Sequence, residues 1–145
     1  MTSALAGIRI LDFTRYQQGP YATVMLGDMG AEVWKVEEPG SGDYGRRLWR
    51  ERDGYTGFFE ALNRGKKSVT IDLRTAAGRY LVLRFGETCD VIVENFRTGV
   101  MDGWGLGYEA FRAVNPRVIY AQATGWGHGR TARPGSVVRP DRTGL

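Results

Sequence analysis

The 145-residue chain predicts an α/β fold, a Rossmann-like parallel sheet with flanking helices. Three observations carry that prediction. Short apolar runs rich in Val and Ile alternate with helical patterns along residues 8–123. The joints between them are short and glycine-rich, which suits right-handed crossovers between parallel strands. The run Asp90-Val-Ile-Val-Glu94 is apolar at consecutive positions, as in a strand covered on both faces.

The elements follow in order. Residues 8–13 read as the first strand. Pro20 fits the first turn of a helix that continues through Val24, Met25 and Met29, with Gly30 as its C′ residue. Residues 31–36 form a second strand, closed by Pro39-Gly-Ser-Gly42, and a short helical stretch near residues 58–62 leads to a third strand at 68–73. Residues 76–85 read as a helix, 91–94 as the fourth strand, 108–114 as another helix and 117–123 as the fifth strand. No internal repeat is present. After Gly127 the helical period and the core-forming residues run out. Residues 1–127 are therefore expected to form the folded part, and 128–145 a basic, disordered tail.

Hydrophobic content of 42% and charged content of 25% are ordinary for a soluble globular protein. A chain of this length buries roughly 68–70% of its unfolded surface. No apolar run approaches the ~18 residues of a membrane span, and no basic-then-apolar signal segment opens the chain. Cys89 is the only cysteine, so no intrachain disulfide can form, and a cytoplasmic location away from membranes is expected. The net charge of +4 comes mostly from Arg130, Arg133, Arg139 and Arg142 beyond Gly127. The body is nearly balanced in charge, which argues against nucleic-acid binding.

Ligands of open α/β sheets collect beyond the carboxyl ends of the strands. Asn95, Phe96 and Arg97 stand there after the fourth strand and offer an amide, an aromatic face and a guanidinium. Gln17-Gln18-Gly19-Pro20 opens the first helix, where backbone N–H groups favour anions and Gly19 lets a ligand approach. Read alone, it is equally an ordinary strand-to-helix turn. Arg64, Lys66 and Lys67 form either a solvated basic loop or one that faces phosphate. Gly125-Trp-Gly-His-Gly129 does not match the dinucleotide fingerprint, and no carboxylate partner can be named for His128, the only histidine.

Five segments occur in one order: Leu5-Ala-Gly-Ile-Arg-Ile-Leu-Asp-Phe-Thr14, Gly30-Ala-Glu-Val-Trp-Lys-Val-Glu37, Leu62-Asn-Arg-Gly-Lys-Lys-Ser-Val69, the run from Asp90 to Asp102, and Val114-Asn-Pro-Arg-Val-Ile-Tyr-Ala121. Together they resemble the amino-terminal part of the class III CoA-transferases (CaiB/BaiF type). That family includes formyl-CoA transferase, carnitine CoA-transferase and α-methylacyl-CoA racemase. The likeness runs from about Leu5 to Gly127 and covers well under half of a full-length member, so the fold would be incomplete relative to the family's large domain.

The resemblance implies an enzyme that moves CoA between carboxylic acids through covalent intermediates. Its partners would be acyl-CoA and carboxylic acid small molecules, with coenzyme A as substrate, no prosthetic group and no metal. By the same likeness Gln17 is the catalytic candidate, because an amide there could donate to a developing oxyanion. Gln17, Gln18, Ile71, Asp72, Leu73, Arg74, Asn95, Phe96 and Arg97 would bind CoA.

The chain departs from the family's pattern in several places. By the resemblance, Gly103 stands where many members carry an arginine and Glu38 where formyl-CoA transferase uses one, which would remove two phosphate partners. The family's nucleophilic aspartate lies in a Gly-Asp motif, and none follows Gly127, so the chain reads as truncated before it. Arg133-Pro-Gly-Ser-Val137 resembles the start of the racemase's histidine segment, with Ser136 and Val137 in place of the His or aromatic residue and the Asp. A racemase relative and a catalytically inactive CoA-binding fragment remain the alternatives. Family members form interlocked homodimers, and the segment that threads them is missing here, so this chain is not expected to interlock.

Overall fold

The computed structural model describes residues 3–49 and 55–125. The tail expected at 128–145, the loop around His128 and the segment at 133–137 lie outside the described residues. Five strands make one all-parallel sheet: β1 (Arg9–Asp12), β2 (Glu32–Glu37), β3 (Lys67–Thr70), β4 (Val91–Glu94) and β5 (Ile119–Gln122), in the spatial order β3-β2-β1-β4-β5. The order reverses direction at β1, so the crevice between the ends of β1 and β4 is the topological switch point.

Register is fixed by pairs such as Leu11–Trp34 and Leu11–Ile92 across the central strand. Successive residues of β1 face opposite ways, and both ways are buried. Leu11 and Phe13 pack with Val36, Val82, Ile92 and Phe111, whereas Ile10 packs with Ala31, Val33 and Val93. A sheet covered on both faces explains why its strands read as continuous apolar runs.

The helices are α1 (Gln18–Asp28), α2 (Gly57–Asn63), α3 (Ala76–Gly86), α4 (Val100–Gly103) and α5 (Tyr108–Val114). Gly30 takes φ of +103° just past α1, the left-handed geometry its C′ position predicts. Thr56 caps α2 by accepting from Phe59 N at 3.1 Å, and Thr75 caps α3 by accepting from Gly78 N at 3.0 Å. α3 and α5 share one face of the sheet, where a Cβ on Gly86 would lie 2.6 Å from the Phe111 ring. No helix among the described residues is long and apolar enough to cross a membrane.

Three expectations need adjustment. The third strand ends at Thr70, so residues 71–74 form the loop beyond it rather than its last residues. Pairing of the fifth strand spans only Ile119–Gln122. Neither α4, entered through Gly99 at φ of +84°, nor the 3₁₀ turn Tyr44–Arg47 was expected from the sequence. Both are single turns, too short to show a periodic pattern.

Candidate functional site

A cleft of about 170 Å³ opens at the carboxyl ends of β1, β2 and β4, beside the loop that leaves β3. Its apolar lining comes from Phe13, Val36, Ile71, Leu73, Phe96 and Trp104, and its charged lining from Arg15, Glu37, Glu38, Asp72 and Arg74. The sequence expectation of Ile71, Asp72, Leu73, Arg74 and Phe96 thus falls on one surface. Gln17, Gln18, Asn95 and Arg97 do not line it.

Each of those four has a definite place. Gln17 is exposed and is the N-cap of α1, with no side-chain capping bond. Gln18 is exposed and reaches the Ala123 carbonyl at 3.4 Å, just past β5. Asn95 spans the switch point: its Oδ1 accepts from Arg15 N at 2.8 Å and its Nδ2 donates to Arg15 O at 2.7 Å. That amide ties the ends of β1 and β4 together, so its first role is structural. Arg97 is exposed and does not line the cleft.

Gly19 also has a different physical reason from the one its sequence suggested. A Cβ there would run into the Thr14 side chain, so internal packing alone requires glycine. Gly78 in α3 is similar, since a Cβ would collide with the Asp72 carbonyl. That close fit seats the 71–74 loop against the helix.

Arg74 is engaged by Asp72, with Nε to Oδ1 at 2.9 Å, and by Glu38, with Nη1 to Oε1 at 3.2 Å. The Asp72 carboxyl is held below its usual range by its side-chain bonds to Arg74 and then by the Arg74 amide. Glu38 therefore serves as a counter-charge to Arg74 on the rim. Phe96 meets Trp104 edge-on at 5.4 Å between centroids, and the Arg15 guanidinium lies 5.1 Å from the Phe96 centroid. Arg15 was not singled out in the sequence. A polar residue directly after β1 was the only available signal.

Behind the cleft lies a buried polar network. Glu37 accepts from Arg46 Nε at 2.7 Å, Arg46 Nη2 at 2.7 Å, Ser68 Oγ at 2.6 Å and Asp43 N at 2.8 Å. Burial alone would push its carboxyl up, but the Arg46 fork, Ser68 and the Asp43 amide outweigh burial and hold it at about 2. The folded pKa lies below the unfolded value, so this stabilisation is present above about pH 4.5 and is lost as pH falls towards 2. The loss should reach at most about 3 kcal/mol, less what solvent screening of Arg46 removes. Urea midpoints measured from pH 6 to 2.5 should fall steeply in the wild type and much less in Glu37→Gln. Equal slopes would contradict this assignment.

The cations of the 64–67 turn prove to be structural. Arg64 pairs with Asp28, and Lys67 pairs with Glu32 while lying 4.9 Å from the Trp34 centroid. The Lys66 side chain is buried and donates to Asp12 Oδ2 at 3.0 Å, Thr23 Oγ1 at 2.8 Å, Pro20 O at 3.0 Å and Asn63 Oδ1 at 3.0 Å. Its pKa is lowered by burial, against the pull of Asp12. A larger hollow of about 280 Å³ lies beside Arg64 and Lys66, but its cations are already committed. The buried contacts of Lys66 do not fit a phosphate-facing role for that side chain.

Comparison with known proteins agrees with the architecture. The chain is 43% identical over 130 residues to a formyl-CoA:oxalate CoA-transferase of Rhodopseudomonas palustris, covering 89% of this chain and 31% of that protein. It is 44% identical over 133 residues to a succinyl-CoA:mesaconate CoA-transferase of Haloarcula hispanica, covering 88% and 33%. The crystal structure of Rv3272 from Mycobacterium tuberculosis superposes with a TM-score of 0.84 at 43% identity, over 92% of this chain and 38% of that one. The chain thus spans about a third of the length of the curated relatives it matches. The model for the family described as CoA-transferase family III matches residues 5–137, a span that takes in all five strands and the whole cleft lining. On these grounds the chain belongs to CoA-transferase family III.

Proposed function

We propose that this chain supplies the CoA-nucleotide-binding part of a class III CoA-transferase that moves CoA between carboxylic acids. One observation carries the reading: residues 71–74 and Phe96, separated in sequence, meet on a single cleft at the carboxyl ends of parallel strands. An aromatic face and apolar walls suit an adenine, and the charged rim suits a ribose and phosphates. The substrates would be acyl-CoA and a carboxylic acid, with CoA itself as carrier and no prosthetic group required. Gln17, exposed at the start of α1, would by family likeness be the amide that donates to an acyl oxygen gaining negative charge. The buried Cys89 thiol, pushed up to about 11 by burial, fits a reducing cytoplasm in which no thiol chemistry is asked of it.

Two relatives of nearly equal identity carry different substrates in their names, so likeness over this portion does not select the acid. Titration calorimetry of the 145-residue chain with CoA at modest salt tests the binding role. Saturable heat is expected below millimolar CoA, and Phe96→Ala should weaken binding about tenfold, the lower end of a base-stacking contribution. A folded chain that gives no heat at millimolar CoA would refute the reading.

A further inference from the structure

We propose that Arg15 is the diphosphate-binding residue of the cleft, an assignment that rests on the nucleotide reading above. Among the cleft's two arginines it is the uncommitted one. Arg74 is held by Asp72 and Glu38. The Arg15 guanidinium makes no hydrogen bond and no ion pair among the described residues, and it lies against the face of Phe96. Five N–H donors arranged as a planar fork therefore border the cleft, and none of its carboxylates is paired with them.

The residue is also held in place. The Asn95 amide grips both the N–H and the C=O of Arg15, from a position 80 residues away in sequence. The Phe96 ring limits where the guanidinium can lie, and Trp104 backs that ring. A preorganised arginine loses less freedom on binding than a solvated one, and its half-buried setting weakens solvent screening. Asn95 and Phe96 thereby gain a joint role as the support of Arg15.

Position decides which phosphate is met. In a Rossmann-like sheet the diphosphate lies at the turn from the first strand into the first helix, and the ribose lies by an acid at the end of the second strand. Arg15 occupies that turn, between β1 and α1, and Glu38 follows β2 directly.

The test is calorimetry on the 145-residue chain with CoA and with dephospho-CoA, which keeps the diphosphate but lacks the 3′-phosphate. Arg15→Gln should weaken both ligands by the same factor, about 10- to 100-fold for a lost charged hydrogen-bond pair. Arg15→Lys should recover part of that loss, and Lys67→Gln, which lies outside the cleft, should change nothing. In the wild-type chain, inorganic diphosphate at millimolar concentration should displace CoA. Equal CoA affinity in wild type and Arg15→Gln would overturn the role of Arg15 and leave the nucleotide reading standing. A loss seen with CoA but not with dephospho-CoA would move the contact to the 3′-phosphate and overturn the diphosphate assignment. A wild-type chain that binds neither ligand would overturn both readings.

Discussion

Assayed alone, the 145-residue chain should show no CoA exchange between acyl-CoA donors and carboxylate acceptors. Covalent transfer requires a carboxylate free to attack a thioester, and removing a nucleophile from a cooperating site costs on the order of a million-fold in rate. The described carboxylates near the cleft are committed elsewhere. Both oxygens of Asp12 are bonded, Oδ1 to Thr14 N and Oγ1 and Oδ2 to Thr23 and Lys66, and the residue is fully buried. Glu37 holds four donors, and Asp43 is ion-paired to Lys35 at 2.8 Å. Glu94 accepts from Phe96 N at 2.7 Å and interacts with the Tyr120 hydroxyl, whose pKa is raised by burial and then by Glu94. Asp72 and Glu38 share Arg74. Hydroxylamine trapping with several acyl-CoA donors should therefore capture no acyl-enzyme. Turnover that disappears when one Asp or Glu of this chain is changed would show that one of these carboxylates is the nucleophile.

The largest stability effect should come from Lys66→Ala, at about 3–5 kcal/mol, the usual cost of leaving one member of a buried pair without its counter-charge. Lys66 and Asp12 are 2% and 0% exposed, so bulk solvent does little to screen the carboxylate once the ammonium is removed. The cost is not the strength of the ion pair. It is the penalty on Asp12, which keeps two hydroxyl partners but loses its cation. Lys66→Met combined with Asp12→Asn removes both charges at similar volume, and should recover much of the loss. Urea unfolding followed by tryptophan fluorescence would show a midpoint lowered by more than ~1 M, for a slope of about 1–3 kcal/mol/M. A change below ~1 kcal/mol would mean that Lys35 or water substitutes for Lys66.

The order of strands and helices was legible because each carries its own local signal. Val91-Ile92-Val93 reads as a doubly covered strand, and Pro20 and Gly30 bracket α1. Half of the site was legible too, because residues 71–74 and Phe96 follow strands directly. Side-chain partnership was not. Lys66 and Lys67 are adjacent and chemically identical in sequence, yet one ammonium is buried among four oxygens and the other lies at the surface. That difference depends on Asp12, 54 residues earlier. Asn95 was read as a ligand contact because an amide after a strand looks the same whether it faces a nucleotide or a neighbouring backbone. Its partner, Arg15, lies 80 residues away. Arg15 itself was passed over because nothing in a sequence marks an arginine that lacks a counter-charge.

The strand order also sets a timetable for synthesis. β1 sits in the centre of the sheet, and its β2 partner follows it closely in the chain. Its other neighbour, β4, arrives much later, as the Arg9–Asp90 contact spans 81 residues. At about 5–20 residues per second, the β4 side of the central strand waits on the order of ten seconds on the ribosome before its partner exists. Over that interval the β1–β2 unit presents an unpaired backbone edge flanked by Ile10 and Leu11. Lys66 emerges inside the same window, so the amine that neutralises Asp12 is synthesised before β4.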